Sequence, residues 1–164
     1  MTGNIIHIRE ANSADISLLS RLVRQSYRDV AGRFTLTPAN CPKHPSNCTD
    51  EWIENDFGRG ISYFILEHRG TPAGCVAIER AEADLCYLER LAVLPHERKK
   101  GLGSQLVEHT FHTARGLGSK KISIGIIAAQ TELKQWYRKF GFIEGKTKKF
   151  SHLPFRVTFM ICEL

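Results

Sequence analysis

Arg98-Lys99-Lys100-Gly101-Leu102-Gly103 is the stretch of this 164-residue chain whose residue types and spacing state a chemistry most directly. Three cations run into two glycines, and then Leu102, Leu106, Val107, Phe111 and Ala114 recur at helical spacing. The loop therefore ends at a helix N-terminus, where unpaired backbone N–H groups and the helix dipole both favour an anion. Gly101 and Gly103 remove side chains where a phosphate has to approach the backbone closely. His96, just ahead, could also touch such an anion. A phosphate or diphosphate site is the expectation, and a basic turn with a glycine cap is the plain alternative. Neither G-x-x-x-x-G-K-[ST] nor a complete G-x-G-x-x-G occurs.

Cys41, His44 and Cys48 form a second cluster, between prolines 42 and 45 and beyond. Three soft ligands fall one short of a closed zinc site, and His152 or Asp50 would have to supply the fourth. The reading taken is a rigid, solvent-facing loop with two ordinary thiols and no metal. Cys75, Cys86 and Cys162 lie in apolar, strand-like runs and read as small core residues. Five cysteines without framework spacing argue against a secreted disulfide scaffold. The net charge of +6 suits an anionic ligand. Its lysines are scattered and no base-reading motif accompanies them, so no nucleic-acid partner is expected. Residues 1–10 hold no signal-peptide apolar region, and no run approaches about 18 apolar residues. No membrane partner and a cytoplasmic location are therefore expected.

The elements that must position the loop follow from periodicity. Residues 5–8 read as a first strand, and Ile16, Leu19, Leu22, Val23 and Tyr27 as the apolar face of a helix ending near Gly32. Pro38, Pro42 and Pro45 exclude regular structure from residues 33–48. Thr49 caps a short helix through Phe57. Residues 61–67, 73–79 and 85–94 read as an antiparallel meander turning at Arg69-Gly70 and Ala83-Asp84. The helix after Gly101 ends at Gly116 and Gly118, residues 121–127 form a strand, and Gln130 or Thr131 opens a last helix closed by Gly141. Residues 142–143 and 155–161 are the final strands. The strand–helix–strand crossover from residue 85 to 127 implies one parallel pair in an otherwise mostly antiparallel sheet. No repeat or linker divides the chain, so residues 1–164 read as a single domain.

Arg98-x-x-Gly101-x-Gly103 resembles the [R/Q]-x-x-G-x-[G/A] signature of the GNAT N-acetyltransferases. Residues 91–95, Leu-Ala-Val-Leu-Pro, look like that family's L-x-V-x-P strand end. Residues 136–142, Trp-Tyr-Arg-Lys-Phe-Gly-Phe, look like its L-Y-x-K-x-G-F element, in the same order and spacing. The resemblance runs from about residue 60 to 142. It implies an α/β (α+β) acyl-CoA N-acyltransferase fold, with six to seven strands, a splayed parallel pair and about four helices. It also implies acetyl-CoA as the acetyl donor and no metal.

By that resemblance the loop of Arg98, Lys99, Lys100, Gly101, Leu102, Gly103 and Ser104 holds the diphosphate of coenzyme A. Leu91, Ala92 and Val93 would splay from residues 122–127 and pair with the pantetheine arm, because unpaired strand backbone needs a partner. Gln130 stands where the family commonly has asparagine and keeps a hydrogen-bonding side chain near the cofactor. Tyr137 matches a position that often protonates the departing thiolate, with packing on the core as the alternative. Glu89 matches a common general-base position, with a salt bridge as the alternative. Strand alternation would set it on the face of Tyr87, Leu91 and Val93. The acceptor is expected between residues 33–50 and 150–155, with His44, His152 and Phe155 as substrate-binding residues.

The function expected from the resemblance is direct transfer of acetyl to the primary amine of a small molecule, by a monomer or homodimer. A protein lysine or N-terminal acceptor, or a non-catalytic acyl-CoA-binding regulatory module, are the alternatives.

Overall fold

Asn12 opens a 3-10 turn, Ser13–Asp15, that leads into the first helix, by a reciprocal cap: its side chain accepts from Ala14 N–H, and Asp15 accepts from Asn12 N–H at 2.9 Å. Helix α1, Ile16–Arg33, then buries Leu19, Leu22 and Val23 on one stripe. Thr49 caps α2, Asp50–Gly58, whose first turn carries Asp50 and Glu51 where the helix dipole favours them. Ser17 and Ser20 both hydrogen-bond Asp50 and so tie α2 to α1. The computed structural model describes residues 5–164, so the first four, part of the stretch read as free of a leader, lie outside the described residues.

Seven strands form one sheet in the order β1-β2-β3-β4-β5-β7-β6. They are β1 (Ile6–Glu10), β2 (Ser62–His68), β3 (Thr71–Glu82), β4 (Leu85–Val93), β5 (Lys121–Ile127), β6 (Ile143–Lys149) and β7 (Arg156–Glu163). Every neighbouring pair is antiparallel except β4 and β5, which the crossover helix α3 (Leu102–Gly116) joins in parallel. A short helix α4, Thr131–Arg138, connects β5 to β6. This is the expected α/β order and sheet type.

The sheet separates two apolar layers. On one face Leu102, Leu106, Val107 and Phe111 of α3 pack on Val76, Ile78, Leu88, Ile122 and Met160. On the other, Leu19, Leu22 and Val23 of α1 and Ile53 of α2 pack on Tyr63, Ile65, Cys75 and Ala77. A fully buried leucine such as Leu19 or Leu106 contributes about 2–3 kcal/mol, so these layers hold the scaffold that carries the loops.

Two readings need correction. Strand β6 runs to Lys149 rather than stopping at Ile143, because it is an edge strand, and charged edges such as Lys146, Lys148 and Lys149 look like loop in sequence. Cys41 and Cys48 are not solvent-facing: both are buried, beneath a loop that contains only a short 3-10 turn at Pro45–Asn47. Among the described residues no three His, Cys, Asp or Glu side chains come together to hold a metal ion, and no helix is long and apolar enough to cross a membrane.

Candidate active site

Strand β4 leaves β5 after only three pairs, the last being Tyr87 with Ser123. From Leu88 onward the two strands diverge. The cause lies on the other side of β4. Against β3, Ala77 pairs with Glu89 and Cys75 with Ala92, so β4 uses three steps where β3 uses two. The extra residue is a β-bulge centred on Arg90, which takes a left-handed φ of 49°. For a bulky side chain that conformation costs on the order of 1–3 kcal/mol and needs support from its surroundings.

The bulge also reverses the strand's facing. Leu91 and Val93 pack with the α3 layer, whereas Ala92 joins the α1–α2 layer. The alternation that would set Glu89 beside Leu91 and Val93 fails, because one inserted residue moves every later side chain to the opposite face.

Below the gap lies the basic loop. Lys99 and Gly101 have φ values of 62° and 79°, the turn that lets Gly101 open α3 without a side-chain cap. The first helical bond runs from Gln105 N–H to the Gly101 carbonyl at 3.2 Å. The N–H groups of Leu102, Gly103 and Ser104 thus have no intrahelical partner. A Cβ on Gly103 would sit 3.2 Å from the Trp136 ring, so the bare glycine lets α3 and α4 lie this close without crowding that ring. These residues line a cavity of about 480 Å³, together with Leu91, Ala92, Val93, Arg98, Lys99 and Gln130. Ser26, whose buried hydroxyl finds no protein partner, lines it from α1.

The charges of the loop divide their work. Arg98 turns away from open solvent: its guanidinium donates to Asp29 at 2.5 Å, to the Ser26 carbonyl at 2.6 Å and to the Val93 carbonyl at 3.1 Å. It latches the loop to α1 and to the end of β4. Lys100 pairs with Glu97 at 3.2 Å and does not line the cavity. Glu97 also meets His68 Nδ1 at 2.8 Å, and its hydrogen bonds with His68 and Lys100 hold its carboxyl below the usual range. Positive potential at the cavity therefore comes from Lys99, from Arg33 of α1 and from the α3 terminus. His96 is exposed and lines neither cavity.

A second cavity of about 300 Å³ opens on the other side of the gap. Glu89, Tyr137, His44, Phe155 and Gln130 meet there, brought from β4, α4, the proline-rich loop, the bend just before β7 and the β5–α4 turn. Burial pushes Glu89 up to about 8, and the neighbouring Glu79 carboxyl adds to the shift. Glu79 is itself held by Arg59 at 2.8 Å. Burial likewise raises Tyr137, which is in edge contact with Trp136 and Phe142. Burial lowers His44, and its Nδ1 faces the N–H and hydroxyl of Ser46. His152 is exposed against Phe150 and lines neither cavity.

Tyr27 is the site residue that sequence reading missed. It was counted on the apolar face of α1, yet its hydroxyl donates to the Leu91 carbonyl at 2.8 Å. It lines both cavities and touches the His44 ring edge-on. Only its polar tip, invisible to a periodicity count, distinguishes it from the leucines around it.

The arrangement offers anion-binding N–H groups, then a gap where β4 has parted from β5, then a half-buried carboxyl and a phenol around a small chamber. Solved structures with this architecture carry such ligands. The PaiA N-acetyltransferase of Thermoplasma acidophilum, in complex with coenzyme A, superposes with a TM-score of 0.80 at 16% identity, covering 97% of this chain and 99% of that one. YncA, a putative acetyltransferase from Salmonella typhimurium with its cofactor acetyl-CoA, gives 0.71 at 20% identity over 98% and 95%. At these identities the likeness is one of fold. In sequence, the uncharacterized N-acetyltransferase YjgM of Escherichia coli K12 is 25% identical over 138 residues, 82% of this chain and 80% of that protein. The model of the acetyltransferase (GNAT) family matches residues 25–142, and the chain belongs to that family.

Proposed function

We propose that the chain transfers an acetyl group from acetyl-CoA to the primary amine of a small molecule. The observation that carries this is the junction of the two cavities. Unpartnered N–H groups of α3 lie at one end of the β4–β5 gap, and Glu89 and Tyr137 line the chamber at the other. The fit to the donor rests on these residues: Leu102, Gly103 and Ser104 supply N–H groups to the diphosphate, Lys99 adds charge, and Leu91–Val93 backbone borders the arm. Acetyl-CoA, when bound, supplies a thioester carbonyl whose C–S bond is exchanged for a C–N bond.

Glu89 takes the proton that an ammonium, with an ordinary pKa near about 10.4, must lose. Its raised affinity for protons, caused by burial and Glu79, suits that task near neutral pH. Tyr137 returns a proton to the departing sulfur, and burial keeps its hydroxyl protonated until then. His44 and Phe155 border the acceptor, and a chamber of about 300 Å³ matches a small amine.

Acetyl-CoA titration by calorimetry, on wild type and a Gly101→Glu, Gly103→Glu double variant, tests the donor site. Micromolar binding lost in the variant supports it, and a folded wild type that binds nothing overturns it. An amine screen read by thiol release then tests the acceptor class; turnover confined to peptides would overturn the small-molecule assignment.

A further inference from the structure

Four non-glycine residues have positive φ among the described residues, and Arg90 alone lies inside a strand. What surrounds it is unusual for a core. Asp56 of α2 is buried in the apolar layer beside Ile53 and Phe57. It accepts a hydrogen bond from Tyr63 Oη of β2 at 2.6 Å and pairs with the Arg90 guanidinium. Arg90 Nη1 lies 2.6 Å from Tyr63 Oη, which closes a triangle of three elements. The Trp52 ring covers the guanidinium at 5.5 Å, and Lys43 of the proline-rich loop sits at 5.8 Å from the same ring.

A buried ion pair is a poor stabiliser, because the desolvation of both charges offsets their attraction. An apolar side chain would fill the same space at least as well. What the pair supplies is one fixed geometry. It holds the extra residue of β4 in place, three residues past the last Tyr87–Ser123 pair, beside the gap. Without it, β4 can slip toward regular pairing, and a one-residue slip returns Leu91 and Val93 to the wrong face.

We propose that Asp56, Tyr63 and Arg90 are positioning residues: a clamp from α2 and β2 that holds the β4 bulge and so keeps open the gap that receives the donor's arm. The inference rests on the transferase reading above but not on the role of Glu89. The clamp also reaches the acceptor side, since α2 follows the proline-rich loop directly and Trp52 bridges Lys43 to Arg90.

Two ligands separate this role from a structural one. Adenosine 3′-phosphate 5′-diphosphate, the nucleotide part of coenzyme A, reaches the α3 loop only, whereas acetyl-CoA also needs the gap. Both are titrated by calorimetry into wild type, Asp56→Asn, Arg90→Gly and Tyr63→Phe, the full chain in each case. Arg90→Gly keeps the left-handed backbone accessible while removing the clamp, and Tyr63→Phe removes a single hydroxyl should Asp56→Asn fail to fold. The expected result is acetyl-CoA affinity lowered about tenfold in Asp56→Asn and Arg90→Gly, and less in Tyr63→Phe, with nucleotide affinity within about twofold of wild type. Unchanged acetyl-CoA affinity in the folded variants, or an equal loss for both ligands, overturns the clamp. Wild type that binds neither ligand overturns the transferase reading itself, a separate result.

Discussion

Replacing Glu89 by glutamine should remove a base and, with it, a pH-dependent cost to the fold. Burial, reinforced by Glu79, pushes Glu89 up to about 8 from an unfolded value of 4.5. The folded chain therefore keeps a proton that the unfolded chain has already released. That contribution is complete below the unfolded value and is lost as pH rises through the folded one. Between pH 5 and 8 a single such group changes stability by up to about 1.4 kcal/mol per pH unit, and an expectation of about 1 allows for residual solvent access. Urea unfolding of wild type and Glu89→Gln across that range, taken as a difference, cancels the other titrating groups. Wild type should lose about 1 kcal/mol per pH unit relative to the variant. The same ionisation should raise wild-type kcat/KM with pH and flatten near the folded value. An acceptor amine of low pKa keeps the amine's own titration out of the window. Glu89→Gln should be flat and lower by about a hundredfold or more. Stability curves that run parallel from pH 5 to 8 would refute the raised ionisation, and wild-type turnover in the variant would refute the base.

Tyr137→Phe should fold normally, since its hydroxyl makes no hydrogen bond within the described residues. It should lower kcat about a hundredfold with acetyl-CoA Kd unchanged, as read by steady-state kinetics and calorimetry. Gly103→Val places a Cβ 3.2 Å from the Trp136 ring, and calorimetry should show acetyl-CoA binding weakened at least about tenfold. Arg98→Ala breaks the latch to Asp29, Ser26 and Val93 and should cost about 2 kcal/mol in urea unfolding, whereas Lys99→Ala should stay within about 0.5 kcal/mol.

The order of elements was legible because each carries its own period. The leucines of α1 and α3 mark helices, and the isoleucines of β5 mark a buried strand. The anion loop was legible because Gly101 and Gly103 sit where a helix must start. The bulge was not. Nothing in Glu89-Arg90-Leu91 departs from strand composition, and the left-handed φ of Arg90 is imposed by Asp56 and Tyr63, distant in sequence. Missing it misplaced the side chains of Leu91 and Val93. Arg98 was read as a charge for phosphate because its partner Asp29 lies on α1 and no spacing rule links the two. His152 was placed by its neighbourhood to Phe155, yet of these two only Phe155 turns inward. Cys41 and Cys48 read as exposed because their loop is polar and proline-rich, although α1 and its surroundings cover them.

Tyr27, Val30, Leu91, Gln130, Leu133 and Tyr137 line both cavities, so no wall of its own closes the smaller chamber from the larger. A donor arm lying in the gap becomes part of that wall. In the proposed transfer the acceptor chamber is then complete only once the donor is seated. The proposed transfer then predicts a compulsory order: acetyl-CoA first, amine second, and the free thiol last to leave. Double-reciprocal plots would intersect, and product inhibition by coenzyme A would be competitive against the donor and noncompetitive against the amine.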